Sequence, residues 1–205
     1  MVTAVARNVG FSHSRMLARL GAESETFLDV VDDQLVGSLI NPNRSSYRYM
    51  LARIYGFEAP VGTAVLQAQN LDAHFARPRI RSGRLAADII ALTISPQEQA
   101  LLARRHQVPA LRSAGEALGW MYVLERLAQR VAPLGRHLYD RLPSELLHAG
   151  SYMQSASEHS LFGLGDALDL LTRTTAMADR IAAGANAGFR SLHAWLESTP
   201  PWDSF

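Results

Sequence analysis

Acidic, histidine and arginine side chains are the groups in this sequence whose spacing could support chemistry. Glu145 and His148 have the Glu-x-x-His spacing with which helical bundles hold a pair of iron ions. Such a site needs the motif twice together with further carboxylates, and here it occurs once, just after Pro143 in a predicted loop. We therefore predict no metal site at these residues.

Two arginines lie one turn apart in a predicted helix. Arg126 and Arg130 are four residues apart and so share one face of that helix. A guanidinium group binds a carboxylate through two parallel hydrogen bonds, so the pair suits an anionic ligand such as a propionate. A solvated or salt-bridged helix face explains the same spacing. The basic run at residues 77–84 suits phosphate or an acidic partner, or is a solvated connector.

Composition excludes several other chemistries. The chain has no cysteine, which rules out disulfides, thiolate ligands and thiol nucleophiles. Its 20 basic and 19 acidic residues nearly balance, so we predict no nucleic-acid groove. No signal peptide and no run of about 20 apolar residues is recognisable, and we predict a cytoplasmic protein without membrane contact.

The elements that must position these residues are predicted to be helices. With 205 residues, 48% of them apolar, the chain suits one domain, and its apolar residues recur at helical spacing, as in Phe27, Val31 and Leu35. Ser95 and Glu98 form a predicted capping box, as do Ser113 and Glu116. The predicted segments are an extension at 1–11, a helical domain at 12–197 and a surface tail at 198–205. The predicted helices are 12–39, 45–69 with a bend or restart at Pro60, 82–94, 96–105, 113–141, 160–172 and 174–197, with a loop at 143–159.

Four segments resemble, in the same order, segments of the bacterial heme oxygenases. Residues 119–125 (GWMYVLE) are similar to the G-W-L-Y-V-L-E stretch that opens the distal helix of that family, and residues 55–60 (YGFEAP) resemble its Y-G-F-Y-A-P segment. Residues 136–138 fall at its R-H-L spacing, and residues 187–196 resemble its closing A-T-F-x-x-L-x-x-W-L helix. The resemblance implies an all-α, single-domain multihelical bundle in which heme lies between a proximal first helix and the distal helix. The implied activity is oxidative cleavage of heme to biliverdin, iron and carbon monoxide.

The resemblance also implies where a heme ligand would lie. Residues 23–29 (ESETFLD) line up with E-A-H-E-R-L-D, which places Glu25 where the family has its iron-ligating histidine. A carboxylate suits ferric iron but is a poor ligand for ferrous heme. His13 lies twelve residues earlier, about 18 Å along a helix, which is too far to replace it. The alternative is that Glu25 is an ordinary exposed glutamate.

The distal side departs from the family in the same way. Where the family has a glycine-rich run, G-S-x-x-G-G, this chain has residues 126–131 (RLAQRV), so Arg126, Arg130 and Val131 bring side chains to a place that glycine keeps open. Phe189, in the closing motif, is a further candidate contact to a cofactor, although core packing alone explains it. His137 is interpreted as a structural histidine at a helix end.

The sequence thus predicts a diverged heme-oxygenase-like protein that is inactive as an oxygenase and has no assigned catalytic residue. Its pocket would take a tetrapyrrole or another small molecule, with heme implied only by the resemblance. One alternative is a non-enzymatic regulatory or protein-interaction module on the same bundle. A second is an active heme oxygenase with an unusual ligand set. An alanine- and leucine-rich surface also suits a homodimer.

Overall fold

The structure is a computed structural model that describes residues 14–36, 42–92, 94–104, 107–158 and 161–198. The predicted extension at 1–11, His13 and residues 199–205 of the predicted tail lie outside the described residues. Every regular element within those ranges is a helix, which confirms the all-α prediction. The elements are α1 (Arg15–Val36), α2 (Arg44–Leu66), α3 (Ala73–Ala76), a 3-10 helix (Arg77–Arg79), α4 (Ser82–Ala91), α5 (Pro96–Leu101), α6 (Ala114–Val131), α7 (Leu134–Arg141), α8 (Pro143–Ala149), α9 (Ser151–Glu158), α10 (Phe162–Leu171) and α11 (Thr175–Ser198).

Local capping explains where several helices begin. The Ser95 side chain accepts from the Glu98 amide, and Glu98 accepts in return from the Ser95 amide, which confirms the predicted capping box of α5. Ser113 likewise accepts from the Glu116 amide at the start of α6. The Glu116 carboxylate, however, accepts from the Arg112 amide at 2.7 Å. The reciprocal hydrogen bond of that predicted capping box therefore comes from the residue before Ser113 and not from Ser113 itself.

Three sequence predictions of element boundaries are wrong. The predicted helix 113–141 is two helices, because Pro133 follows the end of α6 at Val131 and α7 starts at Leu134. The predicted helix 96–105 ends at Leu101. The predicted loop 143–159 holds α8 and α9, since Pro143 occupies the first position of α8, where a missing amide hydrogen has no cost. In addition, α2 continues through Pro60 as one helix instead of restarting there.

Helix α6 is the centre of the bundle. It packs against α11 along most of its length, and α2 and α9 cover other sides of it. Gly119 faces the α11 backbone so closely that an added Cβ atom would lie 2.5 Å from the Ala185 nitrogen, and one at Gly184 would lie 2.6 Å from the Glu116 carbonyl oxygen. Glycines at these places allow the two backbones to approach. Trp120 and Phe57, which stack at 6.5 Å between ring centroids, continue the same core toward α2.

Helix α1 lies against the C-terminal part of the chain. It contacts α11 and α10, and Leu17, Leu20 and Leu28 are buried on its inner face. Its N-terminus is capped by Asp169 of α10, whose carboxylate accepts from the Ser14 hydroxyl at 3.0 Å and from the Met16 amide at 3.1 Å. The first helix is therefore completed by residues near the end of the chain.

None of the described helices combines the length and the apolar character that crossing a membrane requires.

Candidate functional site

The place that the family resemblance assigns to heme lies between α1 and α6. Tyr122 of α6 is fully buried there, and its hydroxyl lies 3.4 Å from the hydroxyl of Ser24 on α1. Phe27 of α1 stacks on Phe189 of α11 with 5.7 Å between ring centroids, and Phe189 meets Tyr122 edge to face at 6.1 Å. These four side chains make a direct contact among α1, α6 and α11, which we call the aromatic contact.

The candidate residues from the sequence differ in their solvent exposure. Glu25 follows Ser24 on α1 but is solvent-exposed, and it forms no hydrogen bond or ion pair with the described residues. Val131, the last residue of α6, is fully buried in the core. Phe189 is 1% exposed and belongs to the aromatic contact. The structure therefore brings only Phe189 of these three into the contact between α1 and α6.

The arginine pair extends from the same face of α6 as Tyr122. Arg126 and Arg130 lie four and eight residues after Tyr122, which puts all three side chains on one side of the helix. Both arginines are half-buried, and Arg126 donates from Nη1 to Gln129 Oε1 at 3.2 Å. Burial raises the pKa of the Tyr122 hydroxyl, and the nearby Arg126 charge opposes part of that rise. The pair provides positive charge at the edge of the aromatic contact.

A heme held through an axial histidine does not fit these residues. Where the resemblance puts an iron-ligating histidine, this chain has the exposed Glu25, and the aromatic contact brings α1 directly against α6. A porphyrin needs a flat space between the two helices, and an iron-bound oxygen needs close approach to a bare helix backbone.

A buried charge cluster elsewhere in the core was missed by the sequence interpretation. It consists of Glu58 of α2, Arg81 just before α4, Glu125 of α6 and Tyr152 of α9, each 2% exposed or less. Arg81 Nη2 donates to Glu125 Oε2 at 2.8 Å, and the Arg81 amide donates to Glu58 Oε1 at 2.7 Å. The cluster thereby connects α2, α4 and α6 through one arginine.

Burial raises the pKa of two groups in this cluster. Desolvation raises the pKa of Glu58 to about 7, although the Arg81 charge and amide pull it down. The pKa of the Tyr152 hydroxyl is also raised well above its usual value, first by burial and then by the charge of Glu58. The two groups interact electrostatically but do not reach hydrogen-bond geometry. Glu58 is thus placed to exchange a proton near neutral pH inside the protein.

The basic run at residues 77–84 is not simply a solvated connector. Residues 77–79 form the 3-10 helix, and Arg81 is buried in the charge cluster. The Arg79 guanidinium lies over the Phe75 ring at 4.1 Å, and its Nε lies 3.8 Å from Glu125 Oε1. The sequence features that could have revealed this cluster were Glu58 and Glu125, two carboxylates inside otherwise apolar motifs. A carboxylate buried in such surroundings needs a cation close to it.

Glu145 and His148 have local contacts on α8. The Ser144 hydroxyl donates to Glu145 Oε2 at 2.7 Å, and His148 Nδ1 lies 2.7 Å from the Ser144 carbonyl oxygen. Across the ranges that the structure describes, no three histidine or acidic side chains converge as a bound metal ion requires. His137 is exposed on α7.

Comparison with known proteins gives no further assignment: no protein-family model, curated protein or solved structure matches this chain.

Proposed function

We propose that this chain is a diverged heme-oxygenase-like protein without oxygenase activity, and that it acts as a regulatory or protein-interaction module. The resemblance in four ordered sequence segments supports the family part of the proposal. The loss of the reaction is supported by Glu25 at the ligand position and by residues 126–131 in place of glycines. A shared fold alone would not imply a shared activity.

The aromatic contact is the observation that carries the proposal. Buried Tyr122 and Phe189 fill the region between α1, α6 and α11 where the resemblance puts a flat cofactor. Ligand sites are concave and mostly preformed, whereas this contact is packed as a core is. A bundle whose interior is filled at this place works through its surface.

A second candidate function is the binding of a tetrapyrrole or another anionic small molecule without cleavage. The arginine pair favours it, because Arg126 and Arg130 present half-buried positive charge on the Tyr122 face of α6. Propionate groups are natural partners for such a pair. This function requires α1 to move away from α6 and open the aromatic contact.

Titration of the purified protein with hemin, followed by addition of a reductant under air, separates these functions. We expect neither a sharp Soret band nor biliverdin. A saturable Soret band without biliverdin would establish the second candidate in place of the first. Conversion to biliverdin would overturn both and identify an active oxygenase with an unusual ligand set.

A pair of double variants assigns any hemin binding that is observed. Replacing Arg126 and Arg130 with alanine removes the charge beside the aromatic contact, and we expect hemin affinity to fall about tenfold or more if those residues hold it. Replacing the exposed Arg136 and Arg141 of α7 with alanine removes the same net charge away from this contact. Equal effects of the two double variants would show that only net charge matters.

A further inference from the structure

A concave surface lies between α2 and α4, away from the aromatic contact. It is a depression of about 320 Å³, and its polar lining consists of Tyr55, Thr63, Ser82 and Arg104. Ala59, Pro60 and Ala86 form apolar walls, and Gly83 completes the rim. The lining residues include one cation and several hydroxyl groups but no carboxylate.

Arg104 is the charged group of this depression, and Tyr55 fixes its position. The Arg104 Nη2 atom donates to the Tyr55 hydroxyl at 3.1 Å, and the guanidinium lies 5.2 Å from the centre of the Tyr55 ring. Arg104 forms no ion pair with any residue in the described ranges. A guanidinium that is held in place beside a concave surface, with no carboxylate to neutralise it, is suited to a bound oxyanion.

Further donors face the same space. Tyr55 is 8% exposed; its hydroxyl accepts from Arg104, and the hydroxyl hydrogen has no acceptor within the described part of the chain. Ser82 and Gly83 are the first residues of α4, so their amide hydrogens have no helical carbonyl to bind, and no side chain caps this end. An anion beside Arg104 would therefore meet hydrogen-bond donors from both α2 and α4.

We propose that this depression binds a small organic molecule through its phosphate or carboxylate group, with Arg104 as the main contact and Tyr55 and Ser82 as further donors. The apolar walls accommodate the carbon part of the ligand next to its charged group. The site is separate from the aromatic contact and does not depend on the function proposed above.

Isothermal titration calorimetry of the full chain with inorganic phosphate, phenyl phosphate and benzoate, at fixed ionic strength, tests this site. We expect phenyl phosphate to bind more tightly than inorganic phosphate, because the apolar walls contact the ring. Comparing phenyl phosphate with benzoate identifies which anion the site prefers. The absence of measurable binding of all three at about 10 mM ligand would overturn the proposal.

Arg104→Gln should weaken binding of the preferred probe about tenfold or more, because it removes a charge-assisted contact. Arg84→Gln is the matched control, since Arg84 is an exposed arginine on α4 outside the lining. We expect the affinity of this control to stay within about twofold of the wild type. Equal weakening in both variants would show a general charge effect and overturn the site.

Gly83→Leu tests the site without removing any charge. A Cβ atom at Gly83 meets no other atom within 4 Å, so the fold has room for a side chain there, and leucine favours the helix more than glycine does. We expect this variant to be at least as stable as the wild type while losing affinity for the probes, because the new side chain occupies the rim. Unchanged affinity would place the ligand elsewhere. Hemin titration of the same variants reports separately on the α1–α6 region.

Discussion

Glu58 holds its proton in surroundings that disfavour a charged carboxylate. The side chain has no solvent exposure, and its pKa rises from an ordinary 4.5 to about 7 because burial removes water from the ionised form. A carboxyl group whose pKa is raised on folding stabilises the folded state while it is protonated. That stabilisation is complete below about pH 4.5 and is lost as the pH rises through about 7.

Glu58→Gln should therefore flatten part of the pH dependence of stability. In the wild type, this group lowers the free energy of unfolding by about 3 kcal/mol between pH 4.5 and pH 8, and the glutamine variant lacks that decline. Urea denaturation at a series of pH values measures the difference. Glu98→Gln is the control, since Glu98 is an exposed cap whose pKa is lowered by the Ser95 amide, and it should keep the wild-type decline. If the free energy of unfolding changed with pH in the same way in the wild type and in Glu58→Gln, the raised pKa of Glu58 would be refuted.

The partners of Glu58 show what sequence reasoning can and cannot reach at this scale. Glu125 is a carboxylate within the apolar motif at residues 119–125, and Arg81 is one of several arginines in the basic run at residues 77–84. Nothing local joins the two, since they are 44 residues apart and meet only after the segment that leads into α4 has packed against α6. Arg126 and Arg130 were predictable as a pair because their spacing lies within one helix.

At the scale of elements, the contact of α6 with α11 depends on glycine. Gly119→Ala should lower the free energy of unfolding by about 2 kcal/mol or more, because its methyl group would meet the α11 backbone, which cannot rotate away as a side chain can. Gly83→Ala is the matched control on α4, where a Cβ atom meets open space, and it should be neutral or stabilising by up to about 1 kcal/mol. Thermal and urea unfolding give both values. A tolerated alanine at Gly119 would mean that α6 and α11 are further apart than described.

The elements themselves were largely predictable, and the exceptions have a common cause. The capping box at Ser95 is encoded within four residues, so the start of α5 could be read directly. The start of α9 could not, because its cap comes from Asp88 of α4, whose carboxylate accepts from the Tyr152 amide at 2.8 Å. When another element supplies the acceptor for the free amides at a helix start, the sequence around that start carries no capping pattern.

At the scale of the whole molecule, Arg53 joins the ends of two helices to the middle of a third. From α2 it donates to the carbonyl oxygen of Gln34 near the end of α1 at 3.1 Å, and to the carbonyl of Leu196 near the end of α11. In return, Trp195 Nε1 donates to the Arg53 carbonyl oxygen at 2.9 Å. One buried guanidinium thus satisfies carbonyl groups that the helix ends leave without partners.

Arg53→Lys should lower the free energy of unfolding by about 2 kcal/mol, because a single ammonium group cannot reach both carbonyls and leaves one of them buried without a donor. Arg190→Lys, at an exposed position of α11, is the control and should change stability by less than about 0.5 kcal/mol. Urea unfolding followed by tryptophan fluorescence measures both, since Trp195 reports on this junction. Equal stabilities of the two variants would show that the helix ends do not depend on the guanidinium.

The capping of α1 by Asp169 has a consequence for how the chain folds during synthesis. The Ser14 hydroxyl and the Asp169 carboxylate are 155 residues apart, and Phe27 and Phe189 are further apart still. At ordinary rates of translation, α1 is synthesised roughly 8 to 30 s before its cap and its stacking partner. During that interval Leu17, Leu20 and Leu28 have no surface to cover them, so the nascent first helix is a natural client for a chaperone until α10 and α11 emerge.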